Sequence, residues 1–311
     1  MSEAAPVRPL RDETALEPLL TVVLPTYNEA GHVLAELDRI EASLAGAGIP
    51  HEVLVVDDAS SDGTPDLVEG WAGGARLIRL ERNRGAGTAR KIGTRAARGR
   101  YVAWTDVDLT YPNDRFPEFV AELEASKVDQ VVGARTTEEG TLKFLRTPAK
   151  WVVRRLASYL VRQPIPDLNS GMRVFRRDVA ERYLDLLPAG FSCVTTLSLS
   201  FLANDHTVHY IPIDYAPRAG RSKFHPLKDT YLYVLQVLRM VTYFEPLRVF
   251  APMAIVMSLL AGSKLVFDLV VHPFRVANIT ILLFLFAFNT LAIGLLADLS
   301  SKGLMNRRER D

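Results

Sequence analysis

Asp106 and Asp108 stand one residue apart at the end of an apolar run, in the stretch YVAWTDVDLTYP, residues 101–112. Along a β-strand, side chains at i and i+2 share a face. If the strand continues that far, the two carboxylates converge on one spot just past its end. Converging carboxylates repel unless a positive charge lies between them. A hard divalent cation that also holds phosphate oxygens meets that need. An isolated Asp-x-Asp is more often a solvated acidic turn, so the weight rests on the surrounding elements.

Those elements alternate. The runs LLTVVLP, HEVLVVDD, ARLIRL, RYVAWTD and VDQVVGAR read as strands. The stretches between them read as helices: about 30–45, TPDLVEGWAG, GAGTARKIGTRAAR and NDRFPEFVAELEAS. Asp62, Gly63, Thr64 and Pro65 mark a helix start as turn and cap. Continuous β-branched runs between helices indicate strands covered on both faces, hence an α/β fold with a mostly parallel sheet. Such sheets bind ligands beyond the carboxyl ends of their strands. Four consecutive ends carry PTYNEA (25–30), DDASSDGT (57–64), ERNRGAGTARKIG (81–93) and DVDLTYP (106–112), the acidic, aromatic and glycine residues that a nucleotide and a metal need. The third lacks the GK[ST] ending of a P-loop. Its Gly85 and Gly87 suit a close backbone approach at a helix start, where free N–H groups favour anions. Lys91 either reaches a nucleotide or is solvated.

Composition bounds the rest. Of 311 residues 23% are charged, with a formal net charge of +1, which argues against a nucleic-acid binder working through bulk charge. The single cysteine, Cys193, excludes an internal disulfide framework and fits a reducing compartment. Residues 1–19 read as a flexible leader without the apolar core of a secretory signal. Two apolar stretches, 249–271 and 277–299, each exceed the ~20 residues that cross a ~30 Å hydrocarbon core; the alternative is a pair of buried core helices. Lys264 and Asp268 lie four apart on one helical face and can pair. The linker HPFR is short, so the two form an antiparallel hairpin, and the basic tail SKGLMNRRERD places both it and the N-terminal domain in the cytoplasm. The stretch HPLKDTYLYVLQVLRMVTYFEPLRVF (225–250), with Tyr231, Tyr233, Tyr243, Phe244, Lys228, Arg239 and Arg248, suits an amphipathic helix in the headgroup region over 226–247, ended by Pro246. Expected domains are therefore 20–225 catalytic, 226–247 interfacial, 248–300 membrane hairpin and 301–311 cytoplasmic tail.

TVVLPTYNEA, VLVVDDASSDGT, NRGAGTARKIG and DVDLTYP together resemble the inverting family-2 glycosyltransferases of the GT-A (Rossmann-like) fold. DLNSGMRVFRRD (167–178), RAGRSKF (218–224) and the hairpin are similar to the polyprenyl-phosphate glycosyltransferases, relatives of dolichyl-phosphate mannose synthase and of bacterial undecaprenyl-phosphate sugar transferases. The resemblance implies that Pro25, Tyr27, Glu29, Asp57, Asp58, Lys91 and Asp106 bind the nucleotide. It implies that Asp106 and Asp108 hold Mg²⁺ or Mn²⁺ as the catalytic pair. It places Arg135, Asn169, Ser170, Arg173, Arg218, Arg221, Ser222 and Lys223 on the acceptor-phosphate side. Val107 stands where an alanine is common, on the opposite face from the acids.

The resemblance also implies the partners: a nucleotide sugar, UDP-linked in preference to GDP-linked, a polyprenyl phosphate, and the bilayer of the inner (plasma) membrane. It leaves a homo-oligomer open. A hydroxyl acceptor needs a general base, whereas an ionised lipid phosphate needs only positioning and charge management. The base motif TED of sugar-polymer synthases is missing, and the corresponding region reads FSCVTTLSLSF (191–201). QVLRM (236–240) approaches the companion QxxRW motif but lacks its tryptophan. A hydroxyl-acceptor enzyme and a noncatalytic nucleotide-binding membrane scaffold are the competing readings.

Overall fold

The apolar runs fold as strands and the stretches between them as helices. The order is β1 (Leu20–Thr26), α1 (Val33–Gly46), β2 (His51–Asp57), α2 (Thr64–Glu69), β3 (Arg76–Arg79), α3 (Ala86–Ala96), β4 (Tyr101–Trp104), α4 (Phe116–Ala125), β5 (Gln130–Arg135), β6 (Arg173–Arg176), α5 (Arg177–Glu181), α6 (Cys193–Ala203), β7 (Val208–Ile213), α7 (Leu247–Val271) and α8 (Asn278–Arg308). This computed structural model describes residues 18–136, 158, 163–190, 192–216, 235, 238–240, 242–272 and 275–308, the last six as backbone only. Residues 1–17 of the expected leader and the RAGRSKF segment, with Arg218, Arg221, Ser222 and Lys223, lie outside the described residues.

The strands form one sheet in the order β3-β2-β1-β4-β6-β5-β7. β1 pairs in parallel with β2 and β4, β2 with β3, and β5 with β7. β6 runs antiparallel to both β4 and β5. The near-continuous apolar sequence of β1 and β2 follows from cover on both faces. Leu20, Val22, Leu24, Val53 and Val55 face Leu37 and Ile40 of α1 and Phe116 and Phe119 of α4. Their alternating neighbours Val23, Leu54 and Val56 face Ala89 of α3 and Leu197 and Phe201 of α6. Each such side chain contributes about 1.5–3 kcal/mol of burial. Helix α1 begins at Val33 rather than near Ala30, because residues 30–32 form a turn in which Glu29 O accepts from the amides of His32 and Val33.

Helices α7 and α8 are both long and apolar enough to cross a membrane. Their large apolar side chains point outward without protein cover, Leu259 at 68% and Phe288 at 69% exposure, as a lipid-facing surface requires. Lys264 pairs with Asp268 as its spacing implies. Asp268 also accepts from Ala277 N (3.0 Å) and Thr280 Oγ1 (2.5 Å), and so caps the start of α8 across the hairpin turn. Helix α8 continues to Arg308, so the tail expected as a separate segment from 301 extends the helix instead. Of the expected interfacial helix, residues 235, 238–240 and 242–244 are described and helical, and the helix breaks at Glu245 and Pro246. Met240 and Phe244 are buried against Ile165, Leu168, Leu199 and Leu202, which joins this segment to α6.

Candidate active site

β4 ends at Trp104, so Asp106 and Asp108 sit on a loop and not on a strand. Strand alternation therefore does not position them; loop hydrogen bonds do. Thr105 Oγ1 donates to Asn113 Oδ1 (2.6 Å), and Asn113 Nδ2 donates to Glu36 Oε1 of α1 (2.7 Å). Glu36 is fully buried, and that burial pushes its carboxyl above the ordinary range although Asn113 and Arg39 both bond to it. Between the two aspartates, Val107 is 2% exposed within the core that faces α1 and α4. It anchors the loop and leaves its acidic neighbours on the other side. Asp108 Oδ1 accepts from Thr110 N (3.3 Å) and Thr110 Oγ1 (2.5 Å).

Asp106 is fixed from two directions. Its Oδ1 accepts from Arg90 Nη2 of α3 at 2.5 Å. Its Oδ2 faces Gly171, where a Cβ would come within 2.9 Å of that oxygen and 3.2 Å of the Tyr111 ring. Gly171 N donates to Tyr111 Oη (2.7 Å), and the Tyr111 ring meets Tyr215 edge-on at 5.0 Å. Burial holds the Tyr111 hydroxyl protonated well above the ordinary tyrosine range. Because β6 runs antiparallel, with Trp104 opposite Arg173, the residues that precede it are the ones delivered beside Asp106.

Two arginines lie under this loop, both fully buried. Arg90 also contacts Cys193 Sγ (3.7 Å) and stacks on Trp104 at 5.7 Å. Arg173 Nη1 donates to Val194 O (2.8 Å) and Ser198 Oγ (2.9 Å), and Nη2 to Ser170 O (2.5 Å). Burial, then the neighbouring Arg90, pull the Arg173 guanidinium down to about 10, which leaves it cationic at neutral pH. For Arg90 burial pulls the same way, but Asp106 and Cys193 more than offset it and hold the group above its ordinary value. Nε of both arginines and Ser170 Oγ are buried without a hydrogen-bond partner. Arg173 and Ser170, expected to face an acceptor phosphate, instead lie beneath the site. The Arg173 Nη donors are committed to Val194 O and Ser198 Oγ of α6 and to Ser170 O.

The remaining expected residues ring the loop. Tyr27 is 38% exposed at the β1 end. Glu29 pairs with His32 at 3.1 Å, and its amide donates to Thr64 Oγ1. Asp57 accepts from Thr26 Oγ1 (3.3 Å) and Ser60 N (3.0 Å). Asp58 accepts Arg84 N (2.7 Å) and Gly85 N (2.8 Å) on its two oxygens, so it pins the loop after β3. Asp62 takes the cap role expected of it, accepting from Thr64 N and Ala30 N. Lys91 is half-buried. At the start of α3, Gly87 N (2.7 Å) donates to Ala189 O, and Thr88 N to Gly85 O (2.9 Å) and Ala189 O (3.3 Å), so these two amides are already taken. Gly87 is glycine because a Cβ there would lie 2.2 Å from Pro188 O. Arg135 pairs with Asp167 (2.7 Å), and Asn169 Oδ1 accepts from Thr195 Oγ1 (2.5 Å).

Three site loops each hold a non-glycine residue in left-handed backbone, Asn28 (φ 55°), Ala59 (φ 65°) and Leu109 (φ 59°). Such positions cost about 1–3 kcal/mol and persist where the surroundings over-determine them. Asn28 N donates to Ser60 Oγ (2.9 Å), and Asn28 Oδ1 accepts from Ser61 N (2.8 Å), which cross-ties the first two loops.

Sequence reasoning passed over Arg90, Glu36, Tyr111 and Gly171's packing role. For Arg90 a signal was present. It shares a face of α3 with Gly87, Gly93 and Thr94, small residues that sit close on the sheet. A charge on that face must be buried and paired.

A mostly parallel sheet carrying an acidic loop and glycine-bearing turns at its carboxyl ends defines the architecture of a nucleotide-sugar transferase. The same fold appears in glucosyl-3-phosphoglycerate synthase from Mycobacterium tuberculosis, in a structure with Mn²⁺, UDP-glucose and phosphoglyceric acid. The TM-score is 0.56 at 19% identity, over 72% of this chain and 80% of that one. The chain belongs to glycosyl transferase family 2, whose sequence profile matches residues 21–184, and the GtrB C-terminal hairpin profile matches residues 245–301. It is 34% identical to a dolichyl-phosphate hexose transferase of Haloferax volcanii, over 67% of this chain and 87% of that protein. It is 28% identical to the low-salt glycan biosynthesis hexosyltransferase Agl6 of the same organism, over 72% of this chain and 54% of the relative. It is also 28% identical to an undecaprenyl-phosphate 4-deoxy-4-formamido-L-arabinose transferase of Aeromonas hydrophila, over 83% and 77%.

The acidic pair suits a hard cation by its chemistry. Asp106 presents an oxygen, Oδ2, on the far side of its carboxylate from Arg90, at a position kept open by Gly171. Among the described residues no group of three or more His, Cys, Asp or Glu could hold a metal alone. A cation here would complete its shell with diphosphate oxygens and water, as Mg²⁺ does in phosphate sites.

Proposed function

We propose that the chain moves one sugar from a nucleotide sugar to a polyprenyl phosphate, with inversion, at the cytoplasmic face of the membrane. The observation that carries this reading is the joining of a family-2 site to a hairpin long enough to cross a bilayer. Relatives named for dolichyl and undecaprenyl phosphates support the acceptor. UDP complexes of the fold relative favour a UDP-linked donor over a GDP-linked one. In the proposed division of the chain, residues 20–225 catalyse, 226–247 lie at the interface and 248–300 anchor.

A phosphate oxygen of the acceptor attacks the anomeric carbon as the bond from that carbon to the diphosphate breaks, and the nucleoside diphosphate leaves. The nucleophile arrives ionised, so no side chain has to take a proton. Helix α6 fits this requirement, because it presents Thr195 bonded to Asn169 and carries no carboxylate. Asp106 and Asp108 would hold Mg²⁺ or Mn²⁺, which when bound supplies charge neutralisation for the departing diphosphate. Pro25, Tyr27, Glu29, Asp57, Asp58 and Lys91 line the nucleotide side in this reading. Arg135, Asn169 and the basic 218–223 segment form the acceptor side, with charge-assisted hydrogen bonds to a lipid phosphate as its chemistry.

The test is a product assay on the purified chain in detergent, with polyprenyl phosphate, a panel of UDP- and GDP-sugars, Mg²⁺ or Mn²⁺, and Asp108→Ala alongside. A glycolipid labile to mild acid, made from one donor and lost with EDTA or in the variant, is the expected result. Nucleotide binding with no glycolipid across the panel would remove the lipid-phosphate acceptor.

A further inference from the structure

We infer that Tyr215, just past β7, is a positioning residue with two arms: its hydroxyl steadies Asp108 through Thr110, and its ring steadies Arg135. This rests on the reading above, in which Asp108 serves the donor's cation and Arg135 the acceptor phosphate. Tyr215 lies close enough to Asp106, Asp108 and Arg135 for all three charges to act on its hydroxyl. The fold brings it there from the edge of the sheet. Ile213 O, at the end of β7, accepts from Thr136 N (3.1 Å), so the strand's exit is fixed beside that of β5. Ala216 N then donates to Thr110 O (3.0 Å), which clasps 215–216 against the acidic loop. Tyr215 is half-buried against the core that contains Val107 and Tyr111.

The hydroxyl arm is a chain of two hydrogen bonds. Thr110 is 1% exposed, and its Oγ1 donates to Asp108 Oδ1 at 2.5 Å. The Thr110 side chain also hydrogen-bonds the Tyr215 hydroxyl. A threonine hydroxyl has one proton to give. With that proton on Asp108, the second bond has Tyr215 Oη donating to Thr110 Oγ1. Burial raises the Tyr215 hydroxyl above the ordinary tyrosine range, so the donated proton stays in place at neutral pH. Linked hydrogen bonds polarise one another. Tyr215 therefore locks the Thr110 rotor and strengthens its hold on Asp108.

The ring arm is independent of the hydroxyl. The Arg135 guanidinium lies over the Tyr215 ring at 5.4 Å, and the Tyr111 ring meets it edge-on at 5.0 Å. A guanidinium over an aromatic face is attracted by the negative centre of the ring. The stack and the Asp167 pair, at 2.7 Å, together fix the plane of the Arg135 guanidinium. One side chain thus braces a donor-side carboxylate and an acceptor-side cation, and it acts on the reaction only through them.

The experiment uses the full chain in nanodiscs and reads two constants. Mn²⁺ binding in the presence of saturating UDP or GDP is followed by the paramagnetic resonance of free Mn²⁺, and KM for undecaprenyl phosphate by glycolipid formation. Tyr215→Phe removes the hydroxyl and keeps the ring. It is expected to bind Mn²⁺ about threefold to tenfold more weakly than wild type, with KM for the lipid within about twofold. Thr110→Val removes the relay itself, so adding Tyr215→Phe to it is expected to weaken Mn²⁺ binding no further. Tyr215→Leu removes both arms and is expected to raise KM for the lipid about fivefold as well. Unchanged Mn²⁺ affinity in Tyr215→Phe overturns the inference, whether or not Tyr215→Leu folds. A fall in kcat alone, with both constants at wild-type values, overturns it too, because a merely structural residue gives that result. So does a folded Tyr215→Leu with wild-type KM for the lipid. Failure of the wild-type chain to bind Mn²⁺ with either nucleotide, or to glycosylate the lipid, overturns the donor and acceptor reading itself, and the inference with it.

Discussion

Replacing Gly171 by alanine separates the site from the scaffold. The added methyl would lie 2.9 Å from Asp106 Oδ2, 3.2 Å from Tyr111 Cε2 and 3.3 Å from Tyr111 Oη. Ordinary van der Waals contact begins near 3.4 Å, so the carboxylate has to give by about half an ångström. It cannot do so freely, because Arg90 holds its other oxygen at 2.5 Å. Overpacking of this kind costs about 1–3 kcal/mol, and for a domain of this size each kcal/mol lowers Tm by about 2–4 °C. Displacing a group that positions the reaction by about 1 Å can cost ~10²-fold in rate. Gly171→Ala should therefore melt within about 12 °C of wild type while sugar transfer falls ~100-fold. The assay is glycolipid formation from labelled donor, beside a thermal melt of the same preparation. Wild-type turnover in Gly171→Ala would refute the reasoning, since Asp106 would then not need the place the structure gives it. Complete unfolding would refute it differently, by showing Gly171 to be structural first.

Gly87→Ala should behave in the opposite way. Its methyl would meet two backbone oxygens, Pro188 O at 2.2 Å and Gly190 O at 2.7 Å, which cannot swing aside, so a loss of about 3 kcal/mol or more should appear in the melt before any kinetic effect. The Asp167–Arg135 pair makes stability depend on acid. Burial opposes the Asp167 charge, but the Arg135 contacts win and hold its carboxyl below the ordinary 3.8. Its contribution is therefore complete above pH 3.8 and lost as pH falls through the lower folded value. Asp167→Asn should flatten that part of a stability–pH curve and cost about 3 kcal/mol at neutral pH, read by denaturant titration. Phe244→Ala removes a buried ring from the contact with Leu199 and Leu202. It should cost about 3 kcal/mol, quicken proteolysis near residue 245 and lower transfer to lipid acceptor, with UDP binding unchanged.

The parts of the fold legible in the sequence are those whose burial is two-sided. β1 and β2 announce themselves because Val22 and Val23, or Val55 and Val56, face different cores and must both be apolar. The loop acids were legible for the opposite reason, since carboxylates beside Trp104 and Val107 have no apolar use. β6 was not legible as a reversed strand. RVFR is four residues with an arginine at each end, and its first arginine, Arg173, reads as a partner for an acceptor phosphate. Only the tertiary structure shows that Arg173 is enclosed by Val194, Ser198 and Ser170. The same failure applies to Arg90. Pairing across sixteen residues, from α3 to the β4 loop, leaves no local periodicity to detect. The α3 start misled in a different way: its glycines were read as room for a ligand, and they make room for the chain's own 188–190 segment.

The reversed strand has a consequence for how such enzymes can diversify. β5 ends at Arg135 and β6 begins at Arg173, both on the site edge of the sheet, and the Arg135–Asp167 pair brings the two ends of the intervening stretch together. The chain between them thus leaves and re-enters through one clasp. Its length and sequence can be exchanged at a loop-closure cost that grows only with the logarithm of its length, while every strand keeps its register. A lineage could swap that cassette to accept a new partner and leave the nucleotide half of the sheet untouched.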